Sequence, residues 1–350
     1  MSHARAGNFF EDFRLGQRFA HGTPRTLTEA DQALYIALTG SRACLHSADT
    51  AARALGFERR PLEDLLVFNT AFGKTVPDIS LNAVANLGYA ELRFGAPVYP
   101  GDTLAVESEV IGLKENSNRK SGVVYVRSIA RQQQGREVLS WVRWVMVHKR
   151  NPDARCGEPI LPALQAQVDP ATMAFAQFAP LVANASQFTG VGEYWEDYAV
   201  GERIDHPAAM TVNDSDHSMA TRLYQNTARA HFDAHGMSES AQKRRLVYGG
   251  HVISLCRALA YDGLENVLGI LAIHAGAHVS PTFAGDTLRC ATAVVDKVAF
   301  GDAPVGGLRL RMVGAKNVDC ASDIDPCAGG TTGIVLDLDF TVAIPKRKPS

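Results

Sequence analysis

The sequence predicts an α+β protein built from two tandem modules, each a long helix wrapped by an antiparallel sheet, paired as a pseudo-dimer. Three observations predict it. FEDFRLGQRFAH at residues 10–21 returns as WEDYAVGERIDH at 195–206, with seven of twelve positions in register at an offset of 185. His46 and Ser41 map by the same shift onto His231 and Asn226. PVYPGDTL at 97–104 returns as PTFAGDTL at 281–288, offset 184. Blocks in one order at nearly one offset mark an internal duplication. Two copies fit a fused pair, because a solenoid needs at least three repeats.

Each element follows from local pattern. EADQALYIALTG and SDHSMATRLYQ have helical spacing, and a longer apolar helix follows each: LEDLLVFNTAFGKTV in the first copy, GGHVISLCRALAYDGL in the second. In GVVYVRSIARQQQGREVLSWVRWVMVHK, two β-rich runs are split by QQQGRE, a hairpin signal. LAIHAGAHVSPTFAGDTLRCATAVVDKVAF reads as strand, turn, strand, and GIVLDLDFTVAIPK alternates as a half-buried strand does. A helix followed by a meander of strands is the expected module. Residues 151–180 carry five prolines and many alanines, so they read as a linker with a short helix near its end. The expected organisation is an N-terminal module at 1–150, a linker at 151–185 and a C-terminal module at 186–350.

Composition narrows the function. At 350 residues and 46% hydrophobic content, the chain can bury a sizeable core. A net charge of −2 gives no basic surplus for nucleic acid or an anionic membrane. No apolar run reaches the roughly 18 residues that span a bilayer, and MSHARAGNFFEDF has no apolar core of a secretory signal. The six cysteines form no C-x-x-C pair and lack a nearby His pair, so the expectation is reduced thiols, no metal and a cytoplasmic setting.

Two segments then carry a resemblance. Tyr35, Thr39, Gly40, Ser41, His46 and Asp49 in the first copy, and Tyr224, Gln225, Asn226, His231 and Asp233 in the second, follow the order of a Tyr-(Thr/Ser)-Gly-Asp-x-Asn-Pro-x-His signature ending in an acidic residue. VYGGHVIS at 247–254 supplies the glycine that opens the long helix. The chain thus resembles the MaoC-like (R-specific) enoyl-CoA hydratase family of hotdog fold, once per half. LYQNTARAHF, PLEDLLVFNTAFGKTVPDISLNAVANLGYAELRF and VYGGHVISLCRALA are most similar to its mesaconyl-CoA hydratase (β-methylmalyl-CoA dehydratase) branch. The resemblance implies a hydro-lyase that adds water reversibly to a carboxylated, branched enoyl-CoA, with CoA as the substrate's handle and no cofactor. A related substrate such as itaconyl-CoA, or a hotdog thioesterase using Glu63 or Asp64, is the alternative. An oligomer of pseudo-dimers stays open. Two departures matter. The family's catalytic Asp is Asn226 in one copy and Ser41 in the other, and its Asn-Pro pair is Ala228-Arg229 and Ala43-Cys44.

The chemistry assigns the candidates. Hydration of an unsaturated thioester needs a base for water, a proton for Cα and donors for the enolate oxygen. Gly249 and Gly250 open a helix, where backbone N–H groups face an anion. The matching positions in the first copy are Asp64 and Leu65, and an acidic side chain there would repel an enolate and cap the amides. The second copy is therefore the expected catalytic half, the first a partner surface with His46 as a remnant. The alternative keeps His46 and Asp49 in the site. His231 is the expected base or acid. Asn226 cannot take a proton but can hold water; it could equally end a helix. An Asp in its place would repel a substrate carboxylate, which Arg229 could pair with, Arg222 and Arg257 being rivals. Tyr224 and Ser254 are further substrate-side candidates, Ser254 equally a small packing residue. Asp233 would orient His231 or cap a helix. Arg245, with Lys243 and Arg244, could meet CoA phosphates or form a solvated loop.

Overall fold

The computed structural model describes residues 6–155, 157–179, 181, 185–240, 242–327 and 332–347. In the N-terminal half, β1 (Arg18–Ala20) and β2 (Arg25–Thr26) precede α1 (Glu29–Thr39), the short α2 (Cys44–Ser47) and α3 (Asp49–Ala54), and the long α4 (Asp64–Thr75). Strands β3 (Ala83–Phe94), β4 (Thr103–Glu115), β5 (Ser121–Arg131) and β6 (Glu137–His148) follow. After α5 (Ser186–Thr189) the plan repeats: β7 (Arg203–Asp205), β8 (Met210–Thr211), α6 (Asp214–Leu223), α7 (Ala234–Ser238), α8 (Gly249–Leu259), β9 (Gly269–His278), β10 (Thr287–Ala299), β11 (Val305–Lys316) and β12 (Ile334–Pro345).

The strands join in one antiparallel sheet of order β1-β4-β5-β6-β3-β9-β12-β11-β10-β7, with β2 on β4 and β8 on β10. The expected meander holds for β4–β5–β6 and again for β10–β11–β12, but not for the first long strand of either half. Strand β3 crosses to pair with β6, which puts it at the centre, where it also pairs with β9. The seam sets Tyr89 opposite Gly276, Ala90 opposite Ala275, Leu92 opposite Ile273 and Arg93 opposite Ala272, so three of its four rungs have a small partner.

The duplicated motif is a structural clasp. A Cβ on Gly122 of β5 would stand 2.4 Å from the Phe10 ring, and one on Gly306 of β11 would stand 2.4 Å from the Trp195 ring. Each aromatic thus lies flat on a strand where only glycine fits. Asp12 holds the Phe9 N–H at 2.9 Å, as Asp197 holds the Tyr194 N–H at 2.8 Å. His21 Nε2 meets Ser108 Oγ, and His206 Nε2 meets Thr292 Oγ1, both at 2.8 Å. The second repeat works the same way: Asp102 and Asp286 accept the N–H of Tyr99 and Phe283.

Helices α4 and α8 form the centre. Leu65 to Thr75 is buried throughout, as is Gly250 to Cys256. A helix apolar on every side is stable only between other layers, and each fully buried Leu, Val or Phe here contributes roughly 1.5–3 kcal/mol. On α4, Gly73 has no room for a side chain: a Cβ would lie 2.0 Å from the Tyr224 carbonyl oxygen. This close approach presses the N-terminal half against the Tyr224–Asn226 turn, where Gln225 adopts φ 52°. Pseudo-equivalent residues meet at the crossing, Asn69 Nδ2 donating to Ser254 Oγ at 3.0 Å.

The segment expected as a linker is docked. Leu113 on β4 bridges to Ile160, Val168 N–H donates to His274 Nδ1 at 2.9 Å, and Val168, Met173 and Phe178 are buried against Leu268, Leu271 and Phe300. The short helical pieces expected near its end are one-turn 3-10 segments at Pro170–Thr172 and Phe175–Phe178. Among the described residues all cysteines are free, Cys156 lying outside them. No helix of the described residues is long and apolar enough to cross a membrane.

Candidate active site

Two pseudo-equivalent sites lie where each His-bearing segment meets the start of a long helix, and the N-terminal one opens as a pocket. The backbone poses the two histidines alike. His231 Nδ1 donates to the Leu246 carbonyl at 2.9 Å, and His46 Nδ1 to the Pro61 carbonyl at 3.2 Å, Leu246 and Pro61 being repeat-equivalent. That bond fixes the tautomer and leaves Nε2 as the acceptor. Burial holds His231 down to about 4, so at neutral pH the ring is uncharged.

The surroundings then diverge. In the C-terminal cleft, Tyr248 precedes α8, its ring 5.6 Å from that of His231. No side chain caps α8, and the Gly249 and Gly250 amides have no acceptor among the described residues. Both glycines are required by close neighbours. A Cβ on Gly249 would sit 2.4 Å from His278 Nε2, and one on Gly250 2.0 Å from Asn69 Oδ1. His278 Nε2 also meets the Tyr89 hydroxyl at 3.2 Å. Asn226 is buried at the floor, its Oδ1 accepting from Ala228 N–H at 2.9 Å. This turn, rather than a helix C-cap, occupies its oxygen; the amide nitrogen is the group left to face a ligand.

In the N-terminal cleft, Glu63 and Asp64 stand where Tyr248 and Gly249 stand in the other. Tyr35, Ser41, Arg42, His46 and Arg257 line it with them. The expectation that Asp64 caps its own helix is corrected. Its Oδ2 instead accepts from Ile270 N–H at 2.7 Å, a brace from α4 to β9, and α4 has no side-chain cap. Glu63 takes the Ser41 hydroxyl. Burial raises Asp64 from 3.8 to about 6. The folded chain therefore holds more protons than the unfolded chain between those values, and this group's stabilisation is lost as pH rises through about 6. Asp64→Asn keeps an acceptor for Ile270 and removes the charge. It should raise stability at pH 7 by about 1–2 kcal/mol, softened by the cleft's access to water. Urea unfolding across pH 4–7 checks this, and equal midpoints for both proteins at pH 7 would refute it.

Several other expected residues have different work. Asp233 does not orient His231; its Oδ1 caps α7 at Gly236 N–H, 2.8 Å. Asp49 is exposed and pairs with Arg60 at 3.3 Å, away from the cleft. Arg245 is tied to Asp214 and to Ser218 Oγ, the latter at 3.0 Å, and Arg244 lies over the Phe283 ring at 3.7 Å, so neither hangs free for a phosphate. Arg229 and Arg222 are exposed. Ser254 donates to the Gly250 carbonyl at 3.0 Å and accepts from Asn69, and it lines the N-terminal cleft rather than the C-terminal site. Tyr224 is fully buried with its hydroxyl unpartnered. Sequence reasoning missed Asn69, Phe72, Tyr89 and His278, which pack around Tyr248 and the start of α8, and used Tyr248 only as part of a glycine motif. All but Tyr248 and His278 belong to the opposite half, and no local pattern marks them.

A duplicated module of one long helix on an antiparallel sheet, with an uncapped helix start facing a histidine acceptor, is the double-hotdog class of MaoC-like proteins. A double-hotdog protein of Mycobacterium tuberculosis superposes with a TM-score of 0.79 at 26% identity, over 97% of this chain and 98% of that one. A MaoC domain protein structure from Chloroflexus aurantiacus reaches 0.90 at 47% identity, covering 99% and 100%. The chain belongs to the mesaconyl-CoA hydratase family, whose model matches residues 2–314. It is similar to the β-methylmalyl-CoA dehydratase of C. aurantiacus, 50% identical over 97% of this chain and 98% of the relative. It is also similar to the mesaconyl-CoA hydratase of Cereibacter sphaeroides, 49% identical over 97% and 99%.

Proposed function

We propose that the protein reversibly hydrates mesaconyl-CoA to β-methylmalyl-CoA in the C-terminal cleft. The observation that carries this is the pairing of a neutral His231, Nδ1 committed to Leu246, with the uncapped amides of Gly249 and Gly250. The thioester oxygen lies on those amides. His231 Nε2 takes a proton from water, held also by the Asn226 amide, as the water oxygen bonds to Cβ. Charge moves onto the thioester oxygen, where two preorganised N–H donors at a helix start stabilise it. The imidazolium then gives its proton to Cα, so one water adds across the double bond and the base is restored. No electron is gained or lost, and the reaction asks for no redox cofactor. The matched family and the two named relatives support the acyl group.

The test is one assay with two channels. Purified protein is mixed with mesaconyl-CoA, enoyl-thioester absorbance is followed, and free thiol is titrated in the same sample. The expected result is loss of absorbance without thiol. Thiol release would mean a thioesterase and turn attention to Asp64.

A further inference from the structure

Arg143, on β6 of the N-terminal half, is fully buried. Its guanidinium pairs with no carboxylate among the described residues. Nη2 donates to Thr75 Oγ1 at 2.9 Å, both terminal nitrogens reach Ser80 Oγ at 3.3 and 3.4 Å, and Nε has no partner. Asp78, on the same turn as Ser80, is committed to His21 Nδ1 at 2.8 Å. A charge taken out of water needs a counter-charge or a full set of acceptors. Arg143 has only two hydroxyls and the face of Phe72, 4.2 Å from its Cζ. Thr75 ends α4, and Ser80 lies on the π-helical turn Val76–Ser80 that continues it, an irregularity frequent at functional sites.

Phe72 also packs against two rings of the C-terminal site. The Phe72 ring is 5.7 Å from that of Tyr248 and 6.1 Å from that of Tyr89. Tyr248 touches His231 and precedes Gly249; Tyr89 reaches His278, which lies against Gly249. The Tyr248 hydroxyl is buried and, like Arg143 Nε, unpartnered. A cation with a free donor edge and a phenol with a free hydroxyl thus both adjoin Phe72, and the Tyr248 ring in turn adjoins His231.

We propose that Arg143 receives the free carboxylate of the acyl group, with the Tyr248 hydroxyl as a second donor. This rests on the hydratase reading, in which that carboxylate is attached to the carbon that takes water. A planar carboxylate matches the Nε–Nη edge in bidentate fashion. The specificity group then comes from one half and the base and oxyanion donors from the other. Arg143 replaces the exposed Arg229 as the carboxylate partner. Arg257, its charge facing Glu63 and Asp64 across the other cleft, is not a rival for this position.

The test uses the full chain with two saturated probes, succinyl-CoA and butyryl-CoA, which differ in a carboxylate for a methyl. Mesaconyl-CoA turnover is measured on the same preparations. Wild type should bind succinyl-CoA about 30-fold or more tighter than butyryl-CoA, as a buried charge pair implies. Arg143→Met should lose that preference while holding butyryl-CoA as before. A preference that survives in Arg143→Met, or that vanishes in Arg229→Met instead, overturns the proposal. Should Arg143→Met not fold, a crystal structure of wild type with succinyl-CoA decides: the carboxylate on Arg143 supports the assignment, and its placement on Arg229 or in solvent refutes it. Wild type that prefers succinyl-CoA but does not hydrate mesaconyl-CoA would overturn the hydratase reading and leave the carboxylate site standing.

Discussion

His231→Ala should lower kcat for mesaconyl-CoA hydration by about 10³-fold, within the range typical of a positioned acid–base group. The fold should tolerate the change, because His231 is half-buried and its one hydrogen bond goes to a carbonyl that water can also serve. The sign of the pH dependence follows from the ring's depressed pKa. The neutral form is the base, so kcat/KM should fall as pH drops through about 4 and stay flat above it, until another group titrates. The same depression costs stability in acid. Below the ordinary 6.5 the unfolded chain takes up the proton first, so this contribution is lost as pH falls from 6.5 to about 4. His46→Ala is the control. It removes a buried ring, so it should lower Tm, yet leave kcat of the folded fraction near wild type. Equal loss of kcat in the two variants would move the chemistry to the N-terminal cleft.

Gly250→Ala should be nearly as damaging, by another route. Its new methyl would lie 2.0 Å from Asn69 Oδ1 and 2.5 Å from the Tyr248 ring, contacts that no side chain rotation in the new residue can relieve. The start of α8 must shift, and the oxyanion donors move with it. Losing one such donor typically costs 10²–10³-fold in kcat, so a fall of about 100-fold is expected. The Asn69 bonds to Ser254 and to the Gly250 carbonyl join the two central helices, and overpacking there typically costs 1–3 kcal/mol. Stopped-flow turnover alongside thermal unfolding separates the effects. Wild-type kcat with a lowered Tm would mean that these amides do not hold the substrate.

How much of this was legible depended on whether the signal was local. The duplication was plain because Phe10 and Trp195 each need a glycine beneath them and an aspartate beside them, a demand that keeps a short word intact twice. The same word says nothing of chemistry; its work is to fasten the outer segments to β5 and β11. His231 and the Gly249–Gly250 pair were found because helix starts and histidines have their own spacing. Asp233 took the helix-capping alternative of its two readings, and Asp49 is held in an ion pair with Arg60, since an acidic residue near a histidine in sequence can be engaged by the next short helix or by a passing cation. Strand β3 was not read, and its place in the middle of the sheet depends on pairing with β6 and β9, which no window of the chain displays. Phe72 and Asn69 could not be seen for the same reason: they meet Tyr248 and Gly250 across a joint where Gly73 lets the two halves come within touching distance.

That shared construction has a bearing on how such a site can change over generations. In a dimer of identical modules, every position would stand in both clefts at once, as the near wall of one and the far wall of the other. Any adjustment would be made twice, for good or ill. Joined in one chain, the paired positions are separate letters. Gly250 and Leu65, Tyr248 and Glu63, Phe72 and Arg257 have each drifted to unlike chemistry. One cleft is thereby free to specialise, while its twin is released to brace the joint.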